Sequence, residues 1–356
     1  MIIKLQCKQA IGLGRASEVL DDNISMEAEL KVADKYMYLI EVPNDFYNDE
    51  NLLRFAYDLV RSVLSMLPEG SCEVKEIEIP RGVLEGPSFG KSGFKRYMGV
   101  RGPAIAATVG LGAVMHPLNH AKLFHRMCAA GLDVGFDPLH LGDDNASPYY
   151  DRAHQVVEIS DAIKDDTGRR VLYFMRTPKE DLLEKVVSIG LKGIYVDLCS
   201  DLGRLSSLLE FKGKVFLAAR NPECLQLRGG LPLSIVYELL KGIGFDLIER
   251  PVINDRRGLE RIKKLESEIG SGEGASMPLT SPGIHPGNII ANIPSDLGVV
   301  LFGDLGIYGH PQGLIKGVSS LRDTLDSFMR GENLLSVMRR NKAVEAVVER
   351  WGYLLP

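Results

Sequence analysis

The sequence predicts an α/β protein: a (β/α)8 TIM barrel preceded by a small N-terminal α+β domain of the ferredoxin-like kind and followed by a C-terminal helix. Three observations carry this. From about residue 104, eight strand-like runs alternate with helix-period segments. Two late loops, SPGIHPGN and GDLGIYGHPQG, place glycines at the ends of short apolar runs, as the anion-binding corner of such a barrel does. The first hundred residues lack that alternation and read as a sheet with one helix on it. At 356 residues the chain has room for a barrel of roughly 250 residues and a smaller domain. The expected division is 1–98, 99–330 and 331–356.

In the N-terminal part, Ile2–Leu5, Tyr36–Val42 and Glu73–Ile79 alternate apolar and polar residues as half-buried strands do, and Asn51–Leu67 has the period of an amphipathic helix. Residues 82–101 are punctuated by glycine and proline and read as a connector. The barrel strands are expected at about 104–110, 131–137, 169–176, 192–198, 213–219, 245–250, 277–281 and 298–303. Glycine closes several of the intervening helices, as after HAKLFHRMCAA and LSIVYELLK. The helix after the last strand is expected over 314–329, and one more over 333–351.

Composition narrows the function classes. Hydrophobic residues make up 45% and charged residues 25%, ordinary values for a globular chain. A net charge of −5 argues against nucleic acid or an anionic membrane as partner. No stretch of eighteen apolar residues occurs and MIIKLQCKQA has no secretory core, so a cytoplasmic protein is expected. Cys7, Cys72, Cys128, Cys199 and Cys224 are scattered without a CxxC pair and read as reduced, buried thiols.

Chemistry in a barrel sits at the C-terminal strand ends. Those ends supply Thr108, His116, Asp137, His140, Arg176, Asp197, Arg220, Glu249, Arg250, Arg256, Ser281, His285, Asp304, Tyr308 and His310. Arginines in this position suit a small anionic ligand, and histidines in the loops after strands 1 and 2 suit proton transfer. Each has a structural alternative: His310 and His285 precede prolines where a loop stops, and the arginines can pair with Asp197, Glu249 or Asp304. Asp137, His140, Asp143 and Asp144 carry the ligand types of a divalent metal site, and adjacent aspartates equally serve a turn or a helix start.

The run EIPRGVLEGPSFGKSGFKRYMGVRGPAIAATVGL, with HAKLFHRMCAAGLDV, SPGIHPGNI and GIYGHPQG, resembles the RuBisCO large-subunit superfamily over about Tyr36–Glu332. The resemblance also removes that family's chemistry. It places Gly110 and Gly112 at the two lysines after strand 1, and Phe136, Pro138 and Leu139 at the carbamylated lysine, aspartate and glutamate that hold magnesium. Only Asp137 of that motif persists. Glu249 stands at the strand 6 histidine, Arg256 near the mobile lysine, and Asp304, Leu305 and Gly306 at three successive glycines.

What the resemblance implies is a divergent, form IV-like RuBisCO-like protein without carboxylase activity and without the magnesium and carbamate site. It would bind or convert a small anionic metabolite, phosphorylated or not, as an isomerase- or lyase-type enzyme. The alternative is a non-catalytic binding or assembly protein on the same scaffold. Proton transfer would fall to His116, His140 or Glu249. Anion binding would fall to Arg176, Arg220, Arg256, Ser281, Gly283, His285, Gly306 and His310. The resemblance further implies a homodimer or ring of dimers.

Overall fold

The computed structural model describes residues 1–7, 25–32, 35–43, 56, 58, 72–78, 85–111, 114–143, 145–229, 231–255, 257–260, 262 and 275–354. The expected helix over Asn51–Leu67 lies outside them apart from residues 56 and 58, which are helical. The N-terminal part forms an antiparallel sheet of β1 (Ile2–Cys7), β2 (Ser25–Val32), β3 (Lys35–Glu41) and β4 (Cys72–Glu78) in the order β2-β3-β1-β4. Strand β2 is an addition to the sequence reading; its residues SMEAELKV include Glu, Ala and Lys, weak strand formers that β3 recruits by pairing.

Eight parallel strands then close on themselves: β5 (Ala104–Thr108), β6 (Val134–Phe136), β7 (Leu172–Arg176), β8 (Gly193–Asp197), β9 (Phe216–Arg220), β10 (Leu247–Arg250), β11 (Met277–Thr280) and β12 (Val300–Phe302). Each lies within the run expected of it, shorter by the residues that curl into loops, except that β9 extends one residue beyond its run. Side chains two apart share a face. The inner face therefore collects Ala106, Phe136, Phe174, Tyr195, Ala218, Leu247, Leu279 and Phe302 in one cluster. Full burial of an aromatic or leucine side chain is worth about 1.5–3 kcal/mol, so this cluster and the shell outside the strands are what hold the barrel closed.

The connector over 82–101 contains a helix, α1 (Gly90–Met98). No side chain of its own caps it; instead Asp246 Oδ1 accepts from Phe89 N at 2.7 Å and Gly90 N at 2.8 Å, while Oδ2 accepts from Leu217 N at 3.0 Å. Phe94 and Met98 are buried in the inner cluster, and Phe89, Phe94 and Tyr97 surround Phe216. This helix stoppers the N-terminal end of the barrel. The glycines around it masked the helical period in the sequence.

Outside the strands run α2 (Pro117–Ala129), α3 (Tyr149–Thr167), α4 (Glu180–Ser188), α5 (Leu205–Leu209), α6 (Glu223–Gly229), α7 (Leu233–Ile243), α8 (Asp304–Tyr308) and α9 (Leu314–Met329). The single helix expected over 333–351 is two, α10 (Leu334–Arg340) and α11 (Lys342–Trp351), because Asn341 leaves the helical conformation and its side chain accepts from Ala343 N and Val344 N. Among the described residues no helix is long and apolar enough to cross a membrane.

The reading of five reduced cysteines is corrected. Cys7 and Cys72, register partners on β1 and β4, form a disulfide, and so do Cys199, in the loop after β8, and Cys224, in the first turn of α6 after β9. Only Cys128 is free, and it is buried. Strand register and barrel closure bring these residues together, which spacing along the chain does not disclose.

Candidate active site at the mouth of the barrel

The inward face of seven of the eight strands ends in a polar residue, the exception being β6, where Pro138 follows Phe136. Thr108 follows Ala106, Arg176 follows Phe174, Asp197 follows Tyr195, Arg220 follows Ala218, Glu249 follows Leu247, Ser281 follows Leu279, and Asp304 follows Phe302. They form a ring over the aromatic layer. At its centre lies Arg220, 2% exposed, whose guanidinium carbon is 4.5 Å from the ring centre of Phe302, 5.5 Å from Phe136 and 5.7 Å from Tyr195. Its Nε donates to Glu249 Oε2 at 2.8 Å. Burial works against its charge, and Glu249 holds the charge in place. No described residue accepts from Nη1 or Nη2.

Asp304 is 8% exposed and accepts from Thr108 N at 2.8 Å and Thr108 Oγ1 at 2.6 Å. Burial pushes its carboxyl above the usual range, against the pull of Thr108 and Arg220. Asp197, the register partner of Arg220, accepts from Asn221 Nδ2, Ser200 Oγ and Cys199 N. Although burial opposes it, those donors keep the Asp197 carboxyl below its ordinary value. Arg176 faces the rim: its Nε and Nη2 clasp Asp201 at 2.7 and 2.9 Å, Nη2 also reaches Ser200 Oγ, and Nη1 reaches Leu139 O. Arg250, of the opposite parity, points away from the ring onto Asn292. Arg256, Gly112 and Asp144 lie outside the described residues.

The two glycine loops pack against each other. Gly283 N, Gly303 N and Gly306 N donate to Ser281 O, Ala106 O and Ile284 O. A side chain at Gly306 would stand 2.9 Å from His285 Cα and Ile284 O, and one at Gly309 would stand 2.6 Å from the Trp351 ring. These glycines therefore permit close backbone packing. Ser281 Oγ accepts from Val252 N. His285, 6% exposed, accepts at Nδ1 from Gly287 N and lies 5.6 Å from the Trp351 ring; burial lowers its pKa to about 4. His310 accepts at Nδ1 from Gln312 N, and its Nε2 meets Ser320 Oγ and Ala343 O, which anchors α11. The C-terminal segment closes over the same corner through Leu354 N to Gly287 O.

The loop histidines stand apart from the ring. His116 is exposed and accepts from Leu118 N at the start of α2. His140 is exposed and lines a rim cavity of about 180 Å³ with Asp143, Arg176, Lys179 and Arg204. Asp137 faces outward, where Arg152 grips both its oxygens and Tyr173 donates to Oδ1 at 2.8 Å. Asp143 accepts from Tyr149 N at the start of α3. Among the described residues no three His, Cys, Asp or Glu side chains group as metal ligands.

A second polar cluster escaped the sequence reading. His120 Nε2 lies 2.5 Å from the Tyr173 hydroxyl, and because that hydroxyl donates to Asp137, the imidazole carries its proton on Nε2. Nδ1 is buried without a partner, and burial lowers the pKa to about 4. Outward parity at Asp137 and Tyr173 was the available signal; the contribution of α2 was not.

No family model matches the chain. It is 21% identical to a ribulose bisphosphate carboxylase of Archaeoglobus fulgidus, over 89% of this chain and 80% of that one. It is 24% identical to a 2,3-diketo-5-methylthiopentyl-1-phosphate enolase of Exiguobacterium sibiricum, over 86% and 83%. Among solved structures, an octameric RuBisCO of Pyrococcus horikoshii superposes with a TM-score of 0.79 at 18% identity, covering 99% of this chain and 93% of that one. A dimeric RuBisCO of Hyperthermus butylicus superposes at 0.77 and 18%, covering 99% and 96%. Element order, closed barrel and relatives agree: the chain has the fold of the RuBisCO and RuBisCO-like proteins and is similar to them over most of its length.

Proposed function

We propose that this RuBisCO-like protein has no ribulose-bisphosphate carboxylase activity and binds or converts a small anionic metabolite at the barrel mouth without a carbamate-held metal. The observation that carries the reading is Arg220: a guanidinium buried among aromatic rings, fixed through Nε by Glu249, with both Nη groups unengaged by described residues. Such a fork matches a carboxylate or an enolate oxygen. The glycine loops have committed N–H groups to their own backbone and Asp304 adds a carboxyl beside them, which favours a carboxylate-sized anion over a bisphosphate. Glu249, whose Oε1 takes no hydrogen bond from a described residue, stands beside the anchor as the proton acceptor; His116 and His140 stand farther out as alternatives.

Phe136, which the resemblance places at the carbamylated lysine, is fully buried and stacked 4.8 Å from Phe174. An aromatic ring there supplies no oxygen donor for magnesium, so no step is routed through that metal. An enolase among the relatives accords with proton transfer next to a bound oxyanion.

A second reading, a non-catalytic binding or assembly protein, draws on the exposed apolar residues Leu111, Val114, Leu118, Leu139 and Tyr150 on the adjacent loops and helix starts after β5 and β6. In a homodimer, dimeric and octameric RuBisCO being among the structural neighbours, a second copy would cover them. The deciding experiment incubates the protein with small carboxylates, keto acids and sugar phosphates, follows thermal stabilisation, and follows deuterium uptake by the ligand from D2O. Stabilisation lost in Arg220→Lys, with uptake lost in Glu249→Gln, is expected. Stabilisation that survives Arg220→Lys overturns the anchor assignment, and binding without uptake leaves the binding-protein reading standing.

A further inference from the structure

The loops after β8 and β9 meet directly above the Arg220 corner of the ring. Asp197 and Arg220 are register partners, and Leu198 N donates to Arg220 O, so each loop leaves the barrel beside the other. Beyond this point the chain is unusually constrained. Asn221 adopts φ of 56°, a left-handed conformation uncommon outside glycine, and it is held there by its side-chain amide on Asp197 Oδ1 at 2.8 Å. Asp197 also takes the amide of Cys199, and Cys224 N donates to Asn221 O. The two cysteines thus extend from the two ends of one hydrogen-bonded junction, and the structure joins their sulfurs.

We propose that Cys199 and Cys224 form a redox latch across the barrel mouth, closed as the disulfide, which fixes the two loops around Arg220, and open as the dithiol, which lets them separate. Closing the latch forms one S–S bond and releases two protons and two electrons. A small disulfide such as oxidised glutathione accepts them and leaves as two thiols; a dithiol reductant reverses the exchange. The other disulfide is built differently. Cys7 is 0% exposed on β1, between two paired strands, and only its partner Cys72 is half-buried, whereas Cys199, in the loop after β8, and Cys224, in the first turn of α6, are both half-buried, so that an attacking thiolate has access to either sulfur.

The test uses the full chain with Cys7→Ser and Cys72→Ser, so that only the mouth pair responds, equilibrated in oxidised glutathione or in dithiothreitol. Peptide mapping after alkylation is expected to show Cys199 cross-linked to Cys224 in the first and both alkylated in the second. Hydrogen exchange of residues 198–204 and 221–226 is expected to be several-fold faster in the reduced protein, and a further Cys199→Ser change is expected to exchange as reduced in both buffers. Absence of the cross-linked peptide, or identical exchange of both segments in the two states, overturns the latch. A change in ligand affinity on reduction rests on Arg220 being the anion anchor; the thiol and exchange readouts stand whether or not that reading does.

Discussion

Two buried charge clusters lie on opposite faces of the barrel wall, and they differ in how completely they are satisfied. On the outer face, Arg152 donates to both oxygens of Asp137, to Ser147 O and to Gly142 O, with the Tyr173 hydroxyl completing Asp137. On the inner face, Arg220 has one partner for Nε and no described partner for its two Nη groups. Tyr195 joins the two sides: its ring lies beneath Arg220 and its hydroxyl donates to Asp137 O. The Arg152–Asp137 ion pair is saturated, His120 Nδ1 beside it being the unpartnered atom of that cluster, and stiffens the fold, whereas the incomplete Arg220–Glu249 pair retains capacity for another molecule. The difference separates a structural ion pair from a candidate site more sharply than charge or burial does, because both arginines are buried.

The largest test breaks the outer cluster. Arg152→Met leaves Asp137 buried with only Tyr173 as side-chain donor, and is expected to destabilise the protein by about 3–5 kcal/mol, measured by denaturant unfolding. A loss below about 1 kcal/mol would show that Asp137 finds water there and that the cluster is no stiffener.

Next comes pH. Burial lowers His120 and His285 to about 4, below the ordinary histidine value. Above about pH 6.5 both folded and unfolded forms are neutral and the stability is fully present. As pH falls toward 4 the unfolded chain binds protons that the folded chain refuses, so stability declines by up to about 3 kcal/mol per histidine and then levels off. His120→Phe is expected to remove about half of that decline; an unchanged pH slope would show that His120 is protonated in the folded protein.

A smaller effect should appear at the inner cluster. Arg220→Lys keeps the charge opposite Glu249 and removes the fork, so stability should fall by about 1–2 kcal/mol while ligand-induced stabilisation disappears. The smallest belongs to Asp304→Asn. Burial already favours the neutral form there, and an amide oxygen can still accept from Thr108, so the change should stay within about 1 kcal/mol. A larger loss would mean that the negative charge of Asp304 is what balances Arg220.

Much of the barrel was legible because each βα unit declares itself locally, by a short apolar run such as LYFMR and a glycine at a helix end. Strand-end position marked Arg220, Glu249 and Asp304 as candidates, and counting in twos from Ala218, Leu247, Phe302 and Phe136 separates them from Arg250 and Asp137, which face outward. What local patterns do not contain is the joining of distant elements. The His120–Tyr173–Asp137–Arg152 cluster draws on four of them, and both disulfides depend on pairing across the sheet or the mouth. Helix α1 escaped notice for a related reason: Asp246, about 150 residues downstream, supplies its cap.

That helix also fixes the side from which the barrel can be approached. With Phe94 and Met98 packed into the far end of the barrel and the aromatic layer filling its middle, a ligand of the polar ring has one side from which to approach, the mouth. Whatever opens or closes at the rim therefore sets access to the ring above the aromatic layer, and a molecule lodged there blocks its successor.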